Sequence, residues 1–83
     1  MFKLKYTKQA QKDAILLSRA KLKNKAEFLL NIIKTNPFQN PPYYEKMIGY
    51  IDRYSRRINK QHRLVYEIYG DIIKIISMWS HYE

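Results

Sequence analysis

The hydrophobic spacing of this chain changes period at Asn36-Pro37, and that change limits the folds open to it. Before it, Leu22, Ala26, Leu29, Leu30 and Ile33 recur at the 3.6-residue spacing of a helix buried along one side. Phe28 and Ile32 widen the stripe, so this helix, about residues 21–35, is expected to pack across a sheet. Pro37 cannot continue the hydrogen-bond ladder and ends it. Residues 36–44 then form a surface loop with Phe38 tucked in. Three strands follow at about 52–58, 62–69 and 72–79, with a weaker extended piece near 46–50. Gly70-Asp71 makes the two-residue turn of the last hairpin, which sets Glu67 opposite Lys74.

At the start, Phe2, Leu4 and Tyr6 alternate with Lys3 and Lys5, as a half-buried strand does. Thr7 can cap a helix running to about residue 19, with Ala10, Ala14 and Leu17 on one face. The expected class is α+β: an N-terminal strand and two helices packed on an antiparallel β-sheet, the second sheet face left open for a ligand. Eighty-three residues allow one domain, residues 1–83, with one core. A core this small favours a tight partner or a second copy, so a homodimer is a reasonable expectation.

Sixteen Lys and Arg against seven Asp and Glu give a net charge of +9, which favours polyanionic partners. The charge is uneven: residues 46–63 hold six cations and one anion, whereas residues 64–83 hold one cation and three anions. Lysines along a helix face are usually a solvated surface. The arginines at 53–63 are harder to explain so, because Arg grips phosphate with a planar fork that solubility does not require. No apolar run is long enough to span a bilayer and no signal peptide opens the chain, which points to the cytoplasm and to no membrane partner. The chain has no cysteine, so disulfides and thiolate metal sites are excluded.

Two glycines, at 49 and 70, allow neither a phosphate-cradling loop nor a nucleophile elbow. Two histidines without clustered carboxylates give no metal-ligand spacing, and no cofactor is expected. Acid–base chemistry by a carboxylate, a histidine and arginines remains, and these groups suffice to cleave RNA. A base takes the proton of a 2′-hydroxyl that attacks phosphorus, a cation stabilises the charge, and an acid protonates the leaving 5′-oxygen. Glu45 is the best carboxylate, just after the Pro41-Pro42 loop, although an ordinary solvated loop residue would look the same. Glu67 and Asp71 are explained as cross-strand partner and turn residue. Arg63 is the central cation, or equally a sheet-face partner of Glu67. If Lys60-Gln61 is a two-residue turn, Arg56 shares the face of Arg63 and Arg57 points away; a shift of one residue exchanges them. Both are therefore candidate RNA contacts. His81 titrates near neutrality as a leaving-group acid should, and Tyr82 beside it offers a stacking face. By position alone, His81 reads as an exposed terminal residue.

The strings Tyr44-Glu45-Lys46-Met47-Ile48-Gly49, Tyr54-Ser55-Arg56-Arg57-Ile58-Asn59 and His62-Arg63-Leu64-Val65-Tyr66 resemble the YoeB/Txe toxins of bacterial toxin–antitoxin operons. Met78-Trp79-Ser80-His81-Tyr82 resembles their C-terminal signature. The resemblance implies a RelE-like fold and cleavage of mRNA in the ribosomal A site, which stops translation. It makes Glu45 the general base, His81 the general acid, Arg63 the transition-state cation and Tyr82 an aligning residue. Lys46, Arg56 and Arg57 fall where the family places phosphate- and ribosome-contacting cations. The implied partners are mRNA, the ribosome and a cognate antitoxin with an acidic C-terminal segment. Two rival readings are a basic module that holds RNA without cutting it, and a toxin on the same scaffold that poisons gyrase. The chain departs from the family pattern in a loop between Glu45 and Ser55 that is one residue shorter, and in the added Glu83.

Overall fold

A computed structural model describes the backbone of residues 1–81 and the side chains of residues 1–79. Strand β1 (Lys3–Tyr6) leads into helices α1 (Lys8–Arg19) and α2 (Lys23–Thr35). Four strands follow: β2 (Glu45–Lys46), β3 (Arg53–Arg57), β4 (His62–Tyr69) and β5 (Ile72–His81). Thr7 caps α1 as expected, its hydroxyl accepting from the Ala10 amide at 3.0 Å. The second helix starts two residues later than its apolar stripe suggests. Lys21 sits at φ 61°, and the Lys21 and Leu22 amides close back on the Ser18 and Leu17 carbonyls of α1.

The sheet order is β1-β5-β4-β3-β2. Strands β2 to β5 form an antiparallel meander, and the expected Glu67–Lys74 pairing is present. The N-terminal strand joins the same sheet rather than standing apart, pairing parallel to β5 with Leu4 beside Ile73. Gly70 turns the last hairpin at φ 58°, a region that L side chains rarely adopt.

Alternation along the strands gives the sheet two unlike faces. Tyr54, Leu64, Tyr66, Ile73 and Ile75 point toward Ala10, Leu17, Ala26, Leu29 and Ile33 of the helices and form the core with them. The intervening positions, Arg53, Ser55, Arg57, Arg63 and Glu67, lie on the other face. Phe28 is exposed, with Lys25 Nζ 5.9 Å from its ring centroid. Phe38 also departs from expectation: it is 48% exposed and lies edge-on to Tyr54, while the neighbouring Pro37 is buried. The loop needs the Pro37 carbonyl inside, where it accepts from Tyr66 and Arg56.

Candidate functional site

The β3–β4 connection decides which arginines share a face. Asn59 Oδ1 accepts from the Gln61 and His62 amides at 2.9 and 2.8 Å, while the Ile58 amide donates to the His62 carbonyl. The connection is therefore four residues, 58–61, and not a two-residue Lys60-Gln61 turn. Arg57 pairs with Arg63 and Arg56 with Leu64. Arg57 thus belongs to the face of Arg63.

Arg56 corrects an expectation. It is 1% exposed, on the helix side of the sheet. Its guanidinium donates to the carbonyls of Pro42 (2.6 Å), Gln39 (2.9 Å) and Pro37 (3.0 Å), and its Nε to Tyr66 Oη at 3.2 Å. The Tyr44 ring lies 5.1 Å from the guanidinium carbon. A phosphate has no access to a guanidinium enclosed in this way. Arg56 pins the 36–44 loop to the sheet, and so sets where Glu45 emerges from that loop. Burial raises the Tyr66 hydroxyl above its ordinary value, an effect that the adjacent Arg56 opposes.

On the helix-free face, Arg63 Nη2 donates to Glu45 Oε1 across 2.5 Å. The two residues lie on β4 and β2, with β3 between them. Ser55 is the β3 residue paired to both Glu45 and Val65, and its small side chain is buried. A bulky residue there would stand between the carboxylate and the guanidinium. Lys46 follows Glu45 in β2, alternates to the other side of this edge strand and is exposed. Arg57 is exposed beside Arg63.

His62 is buried, its ring stacked on Trp79 with centroids 3.7 Å apart, and its Nδ1 lies 3.4 Å from the Trp79 carbonyl. This stack fastens the ends of β4 and β5. The backbone of Ser80 pairs with Arg63, and that of His81 with His62. The His81 side chain and the whole of Tyr82 lie outside the described residues. The sequence therefore brings Glu45 and Arg63 into contact and the His81 backbone to the adjoining strand end.

A second ion pair was missed. Arg53 donates to Glu67 Oε2 through Nε (2.7 Å) and Nη2 (2.6 Å), with its guanidinium carbon 3.9 Å from the Tyr50 ring centroid. Tyr69 Oη also donates to Glu67. The Tyr69 hydroxyl, and after it the Arg53 guanidinium, holds the Glu67 carboxyl below its ordinary value against the effect of burial. The β3–β4 register alone would have located this pair. Among the described residues, no three His, Cys, Asp or Glu side chains are grouped to hold a metal ion. No described helix is long and apolar enough to cross a membrane.

Two helices packed on one face of a mixed five-stranded sheet is the fold of the RelE-like toxins. The family model for the YoeB-like toxin of bacterial type II toxin–antitoxin systems matches residues 6–82, and the chain belongs to that family. A YoeB/ParE toxin from Agrobacterium tumefaciens is 29% identical, with a TM-score of 0.85 over 98% of this chain and 100% of that one. The YoeB dimer from Staphylococcus aureus is 33% identical, with a TM-score of 0.85 over 98% of each chain. The heterotetrameric YoeB–YefM toxin–antitoxin complex of Staphylococcus aureus contains a chain 32% identical, with a TM-score of 0.81 and 99% coverage of both. An 18% identical chain of the Escherichia coli DinJ–YafQ complex, with a TM-score of 0.84 over 98% of this chain and 94% of that one, shares the fold. No curated protein matches the chain at a significant level.

Proposed function

We propose that this toxin arrests translation by cutting mRNA in the ribosomal A site through acid–base catalysis. The observation that carries the reading is the 2.5 Å contact of Glu45 with Arg63 on the face that the helices leave bare. Glu45 removes the proton from the 2′-hydroxyl, whose oxygen attacks the adjacent phosphorus. A phosphate oxygen takes the place of Glu45 on Arg63, which frees the carboxylate to act as base and neutralises the charge that builds on the phosphoryl group. His81 protonates the departing 5′-oxygen, and Tyr82 aligns the substrate. The products carry a 2′,3′-cyclic phosphate and a 5′-hydroxyl. Lys46 and Arg57 contact phosphates or ribosomal RNA; Arg56 serves the fold.

Each proton-transfer group contributes about 10²–10⁴ in rate. The ribosome bends the mRNA toward in-line geometry, so free RNA is cut poorly. The toxin works in the cytoplasm, where a cognate antitoxin neutralises it, as the YoeB–YefM and DinJ–YafQ assemblies suggest by analogy. A homodimer is proposed on the likeness to the Staphylococcus aureus YoeB dimer.

The test is a cell-free translation reaction with mRNA ends mapped by primer extension for wild type, Glu45→Gln and His81→Ala. Wild type yields ends within the A-site codon, and both variants lose them. Intact mRNA with wild type overturns the reading, and stalled DNA replication with intact mRNA replaces it with gyrase poisoning.

A further inference from the structure

The register of β5 against β4 shifts twice on the way to the C-terminal end of the strand. Tyr66 pairs with Ile75, Val65 with Ser77, and Arg63 with Ser80. One extra β5 residue is inserted at each shift, and each insertion reverses which side chains share a face with β4. Only with both insertions does the His81 backbone fall opposite His62.

A bulged residue loses its ladder partner, so each bulge needs another one. The cap and the middle of α1 supply them. At the first bulge, Thr7 Oγ1 donates to the Ile76 carbonyl at 2.7 Å and the Thr7 amide to the Ile75 carbonyl at 3.1 Å. At the second, Asp13 Oδ2 accepts from the Met78 amide at 2.9 Å. Asp13 is 2% exposed, and Gln9 Nε2 donates to its other oxygen at 2.8 Å. A buried carboxylate is costly in a small core, and an apolar residue in mid-helix would pack there more cheaply. The Met78 contact explains its presence.

We infer that Asp13 is a positioning residue: it holds the Met78 bulge and thereby fixes the register that brings His81 to the Arg63 end of the sheet. The inference rests on His81 acting in cleavage, but its register readout requires no cleavage.

The test compares wild type with Asp13→Leu and Asp13→Asn in the full chain. Asn keeps one acceptor for the Met78 amide, and the Gln9 amide can rotate to satisfy its new donor. Folding is checked by thermal melting, register by cross-strand nuclear Overhauser effects between the His62 and His81 backbones, and activity by A-site cleavage. Asp13→Leu is expected to lose the His62–His81 contacts and about 10²-fold in cleavage, the scale of an ångström-sized misplacement. Asp13→Asn is expected to retain both. If Asp13→Leu does not fold, Asp13→Ser, whose hydroxyl is too short to reach β5, takes its place with the same expectation. Native His62–His81 contacts in the folded Leu or Ser variant overturn the inference. Absence of wild-type cleavage removes the nuclease reading and leaves the register test standing.

Discussion

Arg63 on β4 and Glu45 on β2 make a 2.5 Å contact across β3, where Ser55 is paired with Glu45 and Arg57 with Arg63. Neither adjacency in sequence nor direct strand pairing joins these two residues. On β3 the residue beside Glu45 is the small, buried Ser55, which leaves room for the diagonal reach of Arg63, and Arg56 anchors the loop that delivers Glu45.

Replacing either partner removes a different component of the chemistry. Glu45→Gln keeps shape and loses the proposed base, and Arg63→Ala loses the proposed cation. Each is expected to lower single-turnover cleavage on the ribosome about 10²–10⁴-fold. Primer extension against time gives the rates, and a loss below tenfold in both variants contradicts their roles.

Ser55 is a steric gate for that contact. Its Oγ is buried and has no hydrogen-bond partner among the described residues, so Ser55→Ala should leave stability equal or raised by about 1 kcal/mol, with cleavage unchanged. Ser55→Leu should separate Glu45 from Arg63 and depress cleavage. Denaturant unfolding beside the cleavage assay distinguishes the two, and full activity in Ser55→Leu contradicts the crossing geometry.

Adjacent arginines should fail in different ways. Arg56→Met removes the donor to the part-buried Gln39 and Pro42 carbonyls and leaves the Pro37 carbonyl with Tyr66 Oη alone, each lost hydrogen bond costing about 1 kcal/mol. A loss of about 3 kcal/mol lowers the melting temperature by more than about 10 °C in a domain of this size. Arg57→Ala, at an exposed position, should lower the melting temperature less than Arg56→Met does and reduce the slope of log RNA affinity against log salt by about 0.7, the value for one single-strand phosphate contact. A normal melting temperature for Arg56→Met contradicts its assignment to the fold.

Glu67 makes stability depend on acid. Its folded carboxyl is held below the ordinary value of 4.5 by Tyr69 and Arg53. A depressed folded value gives stabilisation that is complete above the unfolded value and disappears as pH falls through the folded one. The difference in melting temperature between wild type and Glu67→Gln should therefore shrink on acidification from about pH 5 downward. An offset that stays constant with pH contradicts the Tyr69–Glu67–Arg53 linkage.

Local signals in the sequence read well because local physics sets them. The Thr7 cap, the apolar stripe of α2, the strand at 62–69 and the Gly70 turn each depend on a few neighbouring residues. The β3–β4 register was not legible, since it hangs on Asn59 closing an Asx-type turn one residue earlier than Lys60-Gln61 suggests. That single step exchanged Arg56 and Arg57. The fate of Arg56 was hidden because its acceptors are backbone carbonyls of a loop whose path no residue type announces. Asp13 carries no signal in the sequence, because its partner, the Met78 amide, is set free only where β5 bulges. The parallel pairing of β1 with β5 likewise needed the tertiary fold. Glu45 and Arg63 were found as candidates, yet their contact across a third strand required the sheet order.

The central claim is that Glu45 activates a 2′-hydroxyl within the mRNA itself. Its most direct test is single-turnover cleavage on ribosomes programmed with an mRNA carrying one 2′-deoxynucleotide at the mapped site. Cleavage should vanish at that bond, while the unmodified mRNA yields an upstream fragment ending in a 2′,3′-cyclic phosphate. Cleavage of the deoxy-substituted bond at the unmodified rate would contradict the mechanism.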